Sequence, residues 1–303
     1  MEIVSIAPPA MTAVPDRSAA QRRRRLKARL WKLAAHALLV GLLFVMLYPV
    51  LWLISSSLRH QDDIFHEPGL WPTSVTLQNY VNGWHFFQGF TFGDFFINSF
   101  LIAFLCILGN LVACSLAAYA FARLRFPLKN VWFALMLGSI MLPVHVQLIP
   151  QYIVFLNLGW VNTYIPLVMP KWLATDAFFV FLMVQFMRTL PRELEEAAEI
   201  DGASFWHRYW RIILPLSLPA IVTTALFTFI FTYNDYLSQL IYLTSLDKTT
   251  VPLALRLFID SGGGTSNFGG LFAMSVLSLG PVIGFFLVSQ RFIVQGFATT
   301  GLK

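Results

Sequence analysis

Residues 93–121 read GDFFINSFLIAFLCILGNLVACSLAAYAF. The stretch stays apolar for longer than the roughly 20 residues a helix needs to cross about 30 Å of hydrocarbon. Arg123, Arg125 and Lys129 close it. A segment of this kind predicts a membrane helix, in which each backbone polar group is satisfied inside the segment. Both cysteines, Cys106 and Cys114, fall inside it. Eight positions along a helix are about 12 Å of rise, too far for a disulfide, so both read as small apolar core residues.

Outward from this run the pattern repeats. The 303-residue chain is 57% hydrophobic and 12% charged, against about 25% charged for a soluble domain. Towards the N-terminus, a span is expected over roughly 33–57, preceded by Arg22, Arg23, Arg24, Arg25, Lys27 and Arg29. Its apolar stretch exceeds the roughly 7–15 residues of a signal peptide, and no small-residue cleavage site follows, so it reads as a retained span. Residues 1–21 read as a disordered tail. Residues 58–92 read as a polar and aromatic loop. Towards the C-terminus, spans are expected over about 130–155, 164–188, 216–243 and 269–289. The fold class is therefore an all-α membrane protein with six transmembrane helices.

The basic residues orient it. Cytoplasmic segments carry an excess of Lys and Arg. With the N-terminus inside, all but Arg59, Lys171, Lys248 and Arg256 of the 21 Lys and Arg lie on the inner side. Both termini and residues 189–215 are then cytoplasmic. The net charge of +6 is topological and does not point to nucleic acid. The expected organisation is a basic cytoplasmic tail over 1–32, a transmembrane domain over 33–290 and a cytoplasmic tail over 291–303.

Residues 189–215 stand apart, being charged and too broken to cross a membrane. Pro191 suits a first helical position, and Glu193, Glu195 and Glu196 complement the positive end of the helix that follows. Asp201-Gly202 reads as a turn, and Ser204 can cap a second short helix. In that helix Phe205, Trp206, Tyr209, Trp210 and Ile213 form an apolar stripe, with His207, Arg208 and Arg211 off it. Periodicity alone equally suits an amphipathic helix lying in the membrane interface.

The spacing adds something more specific. Glu196-Ala197-Ala198, three residues, Gly202, nine residues, then Ile212-Ile213-Leu214-Pro215 resembles the EAA loop of ABC importer permeases at every fixed position. Ala117–Leu124, Met141-Leu142-Pro143, Ile200–Ser204 and Gln290–Gly296 resemble the carbohydrate-uptake, maltose-transporter-like subfamily, and within it the second permease subunit. Two positions depart from the family pattern. Tyr233-Asn234 stands where Trp-Asn is usual, and Lys303 stands where the tail commonly ends Lys-Gly.

The resemblance implies a type I permease fold and a mechanical role. Glu196, Ala197, Ala198, Asp201 and Gly202 would form a coupling helix seated in a groove of the ATPase, with Ile212, Leu214 and Pro215 completing the motif. It further implies a homologous second permease making a heterodimer, an ATPase dimer and an external solute-binding protein. No cofactor would be bound by this chain itself; ATP and Mg would sit in the ATPase subunits. Ser261, Gly262, Gly263 and Gly264 occupy the loop that reaches the binding protein in relatives, although a glycine-rich linker reads equally well.

Other candidates are weaker. Tyr233, Asn234 and Asp235 are candidate pathway residues, and Asp176, Gln185 and Gln239 are polar groups in or near spans. The run Trp84, Phe86, Phe87, Phe90, Phe92, Phe95 and Phe96 reads as an interfacial aromatic belt, with sugar contact as the other reading. The six histidines show no metal-ligand spacing. No Gly-Lys-Ser or Gly-Lys-Thr is present, so the chain holds no P-loop, and the HExxH and GxSxG motifs are missing too. A secondary transporter is the alternative, one that would need no ATPase.

Overall fold

The computed structural model describes residues 17–66, 69–260 and 266–300. Among these residues every regular element is helical. The chain divides into two compact units, Met1–Trp52 and Leu53–Lys303.

The first unit contains most of helix α1, Arg17–Ser57. The helix starts inside the arginine-rich segment, earlier than the expected span. Its apolar part, Lys27–Ser57, is long enough to cross a membrane.

In the second unit, the expected loop over 58–92 holds a short helix α2, Gln78–Trp84. Asn79 on this helix is buried and donates to the carbonyls of Ser57 at 2.9 Å and Arg59 at 2.6 Å. Arg59, expected in an exterior loop, is itself fully buried and donates to Ser55 Oγ and the Gly69 carbonyl.

Helix α3, Phe92–Arg123, is the quoted apolar run. Thr91 and Asp94 form a reciprocal capping box at its start, which satisfies donors the first turn leaves open. It is the axis of the unit and packs against several of the helices that follow.

The span expected over 130–155 is instead two helices, α4 Lys129–Ser139 (11 residues) and α5 Val144–Asn157 (14 residues). A tight turn separates them, with Met141 N bonded to Gly138 O and Leu142 N to Ser139 O. Pro143 disfavours the α conformation at Leu142, which fixes the stop there.

Helices α6, Ile165–Trp172, and α7, Ala177–Thr189, divide the span expected over 164–188. The stretch Ile165–Thr189 is apolar and long enough for one span, yet the helix is interrupted at residues 173–176, with Ala174 at a left-handed φ of 54°. Next come α8, Glu193–Ile200, α9, Phe205–Arg208, one turn of π-helix at Tyr209–Ile213, and α10, Leu214–Leu216. Helix α11, Leu218–Tyr233, follows a 75° bend at Ser217. The boundary expected between residues 215 and 216 falls inside a helical turn, and the direction changes at Ser217.

Helices α12, Leu237–Tyr242, and α13, Val251–Asp260, are short. Helix α14, Phe268–Thr300, carries the last span and runs on through part of the expected C-terminal tail. By length and composition, four segments of the described residues can each cross a membrane, and the bent pair Phe205–Leu216 with Leu218–Tyr233 makes a fifth. The sixth expected span is the α4–α5 pair.

The aromatic run before and within α3 does not form a belt. Phe92 and Phe95 are fully buried. Phe87 meets Phe95 edge-on at 5.0 Å, and Phe86 stacks on Phe258 of α13 at 4.6 Å. These rings are the core at the Phe92 end of α3, where α2, α11, α13 and α14 converge. A second core at the Arg123 end joins α3 to α7 and to the segment after Gly202.

Candidate functional site

The segment 189–215 is a helix–turn–helix at the Arg123 end of α3. Leu190 is extended, and Pro191 sits just before the helix, so α8 starts at Glu193 with three glutamates in its first turn. The helix ends in a double-bonded C-terminal motif. Ala203 N donates to Ala198 O at 2.8 Å, and Gly202 N donates to Glu199 O at 3.0 Å. This motif needs a left-handed residue after the last turn, and Gly202 supplies it at φ 79°. The turn forecast at Asp201-Gly202 is present in this form. Ser204 Oγ then accepts from His207 N at 3.3 Å and caps α9, as its position suggested.

The buried face after the turn is narrower than the stripe read from the sequence. Phe205, Tyr209 and Ile213 face inward, whereas Trp206 and Trp210 are about half exposed. Tyr119 of α3 receives this face, with Phe205 and Tyr209 each 5.3 Å from its ring. The Tyr209 hydroxyl and Ser115 Oγ are 2.7 Å apart and share a hydrogen bond. Ile212 and Leu214 pack against the same core, and Pro215 lies at the surface.

One acidic residue of α8 turns inward, and it is not Glu196. Glu195 pairs with Arg123 at 3.1 Å, the two side chains being 12% and 4% exposed. Its other oxygen accepts from the Tyr119 hydroxyl at 3.1 Å. Arg123 also donates to the carbonyls of Met187 at 2.5 Å and Leu190 at 2.8 Å, the open end of α7. A single guanidinium thus ties the ends of α3 and α7 to α8. Glu196, Ala197, Ile200 and Asp201 are exposed, Ile200 at 86%. Glu199 pairs with Arg208 across the turn. The sequence marked Glu195 only as one of three glutamates at the helix start, because its partner is distant along the chain; the signal available for the pairing was Arg123 closing an apolar run.

Cations gather at this end. Lys129 donates to the Leu124 carbonyl at 2.8 Å, and Arg188 lies over the Phe133 ring at 5.2 Å. Burial first, and then Arg188 and Arg192, hold the Lys129 pKa below its ordinary value.

The other sequence candidates do not converge. Tyr233 is buried, stacked on Phe229, and donates to the Ser278 carbonyl at 3.3 Å. Asn234 is exposed and bonds to Ile230 O of its own helix. Asp235 Oδ1 accepts from Ser238 N at the start of α12. Ser261–Gly264 lie outside the described residues. Among the described residues, a cleft of about 490 Å³ is lined by polar groups including Gln61, Asp62, Asn82 and Asn267. Among the described residues, no three His, Cys, Asp or Glu are placed to hold a metal ion.

A second charged site lies in the expected span over 164–188, at Asp176, one of the polar groups noted there. At the α6–α7 break, Lys171 Nζ and Asp176 Oδ2 are 2.7 Å apart. Trp172 Nε1 donates to the Leu105 carbonyl at 3.1 Å, and the indole lies over Gly109, where a Cβ would overlap it. Glycine is what lets α6 approach α3 this closely.

Residues 36–298 match the family of binding-protein-dependent transport system inner membrane components. The chain belongs to this family. It is a permease-type subunit of an ABC importer in the inner membrane, and membership sets aside the ion-coupled secondary transporter. The chain is 32% identical over 261 residues to the probable ABC transporter permease protein YurM of Bacillus subtilis, covering 86% of this chain and 85% of the relative. It is 34% identical over 263 residues to the sn-glycerol-3-phosphate transport system permease protein UgpE of Yersinia enterocolitica, covering 86% and 92%. Its fold matches a chain from the crystal structure of a bacterial ABC transporter involved in the import of the acidic polysaccharide alginate. That match has a TM-score of 0.77 at 21% identity and covers 88% of this chain and 97% of the other.

Proposed function

We propose that the chain is one of two homologous permeases that together line the pore, and that its α8 turn docks on a partner ATPase. The carrying observation is the split character of α8. Its inner edge is fastened to α3 through Glu195 and Arg123, and its outer edge presents Glu196, Ala197 and Ile200 to solvent. A rigid, small-residue outer edge on a charged short helix suits a protein groove. ATP and Mg bind at the ATPase dimer, and closure of that dimer moves α8. The bundle shifts between inward and outward access, each nucleotide state favouring one arrangement. The positive-inside asymmetry supports both termini and the α8 turn in the cytoplasm. The polar cleft by Asn267 then faces the external solute-binding protein, with Ser261–Gly264 as the segment that would reach it. The names of the relatives support a carbohydrate, a polyol phosphate or an acidic saccharide as cargo.

The experiment is purification of the tagged protein from its native membrane in mild detergent, with its companions identified by mass spectrometry. A second permease and a P-loop ATPase are expected. A homo-oligomer isolated where known complexes survive would overturn the reading. Gly202→Val tests the turn in the same preparation. The variant is expected to insert and to abolish uptake, since a left-handed β-branched residue is strongly disfavoured. Normal uptake by a correctly inserted variant would remove α8 from the coupling role.

A further inference from the structure

The α6–α7 break carries an inference about the cargo, which rests on the permease reading above. Trp172 and Gly109 set its depth, because Gly109 lies near the middle of α3. At 1.5 Å per residue, Gly109 is roughly 20–25 Å from either end of that helix. The break is therefore near the bilayer centre. There Leu173 is 63% exposed and Thr175 is exposed. The side chains of Lys171 and Asp176 are each about a quarter exposed, at 27% and 24%. Irregular backbone at that depth does not face lipid; it lies against protein or lines a water-filled cavity.

The ion pair separates those two settings. The Lys171 ammonium has three donors, and one partner among the described residues, Asp176. In a dry protein contact the remaining donors would be stranded at a high cost. Water or solute oxygens must reach them. Asp176 also has a second place to go. It is the N-cap of α7, yet its side chain makes no capping bond. Aspartate is a preferred cap, and a carboxylate is stabilised at a helix N-terminus.

We propose that Lys171 and Asp176 line the translocation pathway and form an exchange site for a solute carrying a carboxylate or phosphate. The anion takes the place of Asp176 on the Lys171 ammonium, and Asp176 swings to cap α7. When the solute leaves, Asp176 returns and Lys171 is neutralised again. A neutral sugar gains nothing from this exchange, so the site selects acidic cargo.

The test needs no knowledge of the cargo. Asp176→Cys, in the assembled complex with its second permease and ATPase, is exposed to two water-borne thiol reagents. One is the anionic sulfonatoethyl methanethiosulfonate and the other its cationic trimethylammonium analogue. The wild-type protein, whose Cys106 and Cys114 are buried, is the blank. Relative to free cysteine, the anionic reagent should be favoured by about tenfold or more, since the attraction of one charge roughly 4 Å away is already of this order in water and is severalfold stronger near a protein surface. Adding Lys171→Gln should abolish that preference. If Asp176→Cys fails to assemble, Thr175→Cys with the isosteric Asp176→Asn repeats the measurement. Absence of reaction with either reagent in a complex that hydrolyses ATP overturns the pathway assignment. Reaction without anionic preference, or a preference that survives Lys171→Gln, overturns the exchange site. Each of these failures leaves an assembled ATPase-active complex, whereas failure of the permease reading leaves no such complex to label.

Discussion

Two of the ion pairs among the described residues, Arg123–Glu195 and Lys171–Asp176, are built oppositely. Arg123–Glu195 is almost closed to solvent and is crowded with partners, namely the Tyr119 hydroxyl and two carbonyls at the end of α7. Lys171–Asp176 is a quarter open, and among the described residues the Lys171 ammonium has Asp176 as its one partner. A buried charge pair holds its geometry when its remaining donors and acceptors are also satisfied. An open pair with spare donors is free to change partners. The first arrangement transmits position; the second suits exchange.

That contrast is open to mutation, and the largest effect belongs to the closed pair. Glu195→Ala leaves the Arg123 guanidinium without its counter-charge in a dry setting. The expected cost is about 3–5 kcal/mol, as for other broken buried pairs, read as a lowered denaturation midpoint of the complex in detergent. Limited proteolysis should then cut between residues 190 and 204, because the pair is what fastens α8. An unchanged midpoint would erase the distinction between the two pairs. Gly109→Ala comes next, since its Cβ meets the Trp172 indole and α6 must move off α3. Overpacking of this kind costs about 1–3 kcal/mol, with a change in Trp172 fluorescence as the specific sign. The smallest effect is expected for Asp176→Asn. An ion pair this open is worth about 0–1 kcal/mol, so the midpoint should hardly move. A large loss there would place Lys171–Asp176 in the same class as the buried pair.

The sequence exposed these two regions unequally. Apolar run length marked most of the spans, and the spacing from Glu196 to Pro215 marked the α8 turn, because Gly202 and Ser204 act locally on the backbone around them. The inward turn of Glu195 was hidden, since it depends on where the end of α3 lies. In the first turn of a short helix, adjacent glutamates look alike until a partner selects one. The α6–α7 break was hidden for another reason. Residues 173–176 contain neither Gly nor Pro, and a window average of hydropathy passes smoothly over them. The aromatic run was misassigned because a belt and a buried ring cluster have the same composition; only α13, arriving with Phe258, tells them apart.

The π-turn at Tyr209–Ile213 has a consequence for register. It lodges one more residue in a turn than an α-helix holds, and such turns are rare and often lie at functional sites. On an α-helix each residue advances the side-chain direction by about 100°. The bulge is thus an offset of one position in sequence register, absorbed without a change of direction between the solvent-facing turn and the span beyond Ser217. Excising one residue there would let the turn close as an ordinary α-turn, with both helices intact and the faces of α11 directed as before. Family members that lack a residue at this point would keep the same apolar pattern in the span beyond, whereas a residue lost from a regular turn of α11 would rotate every face past it by about 100°.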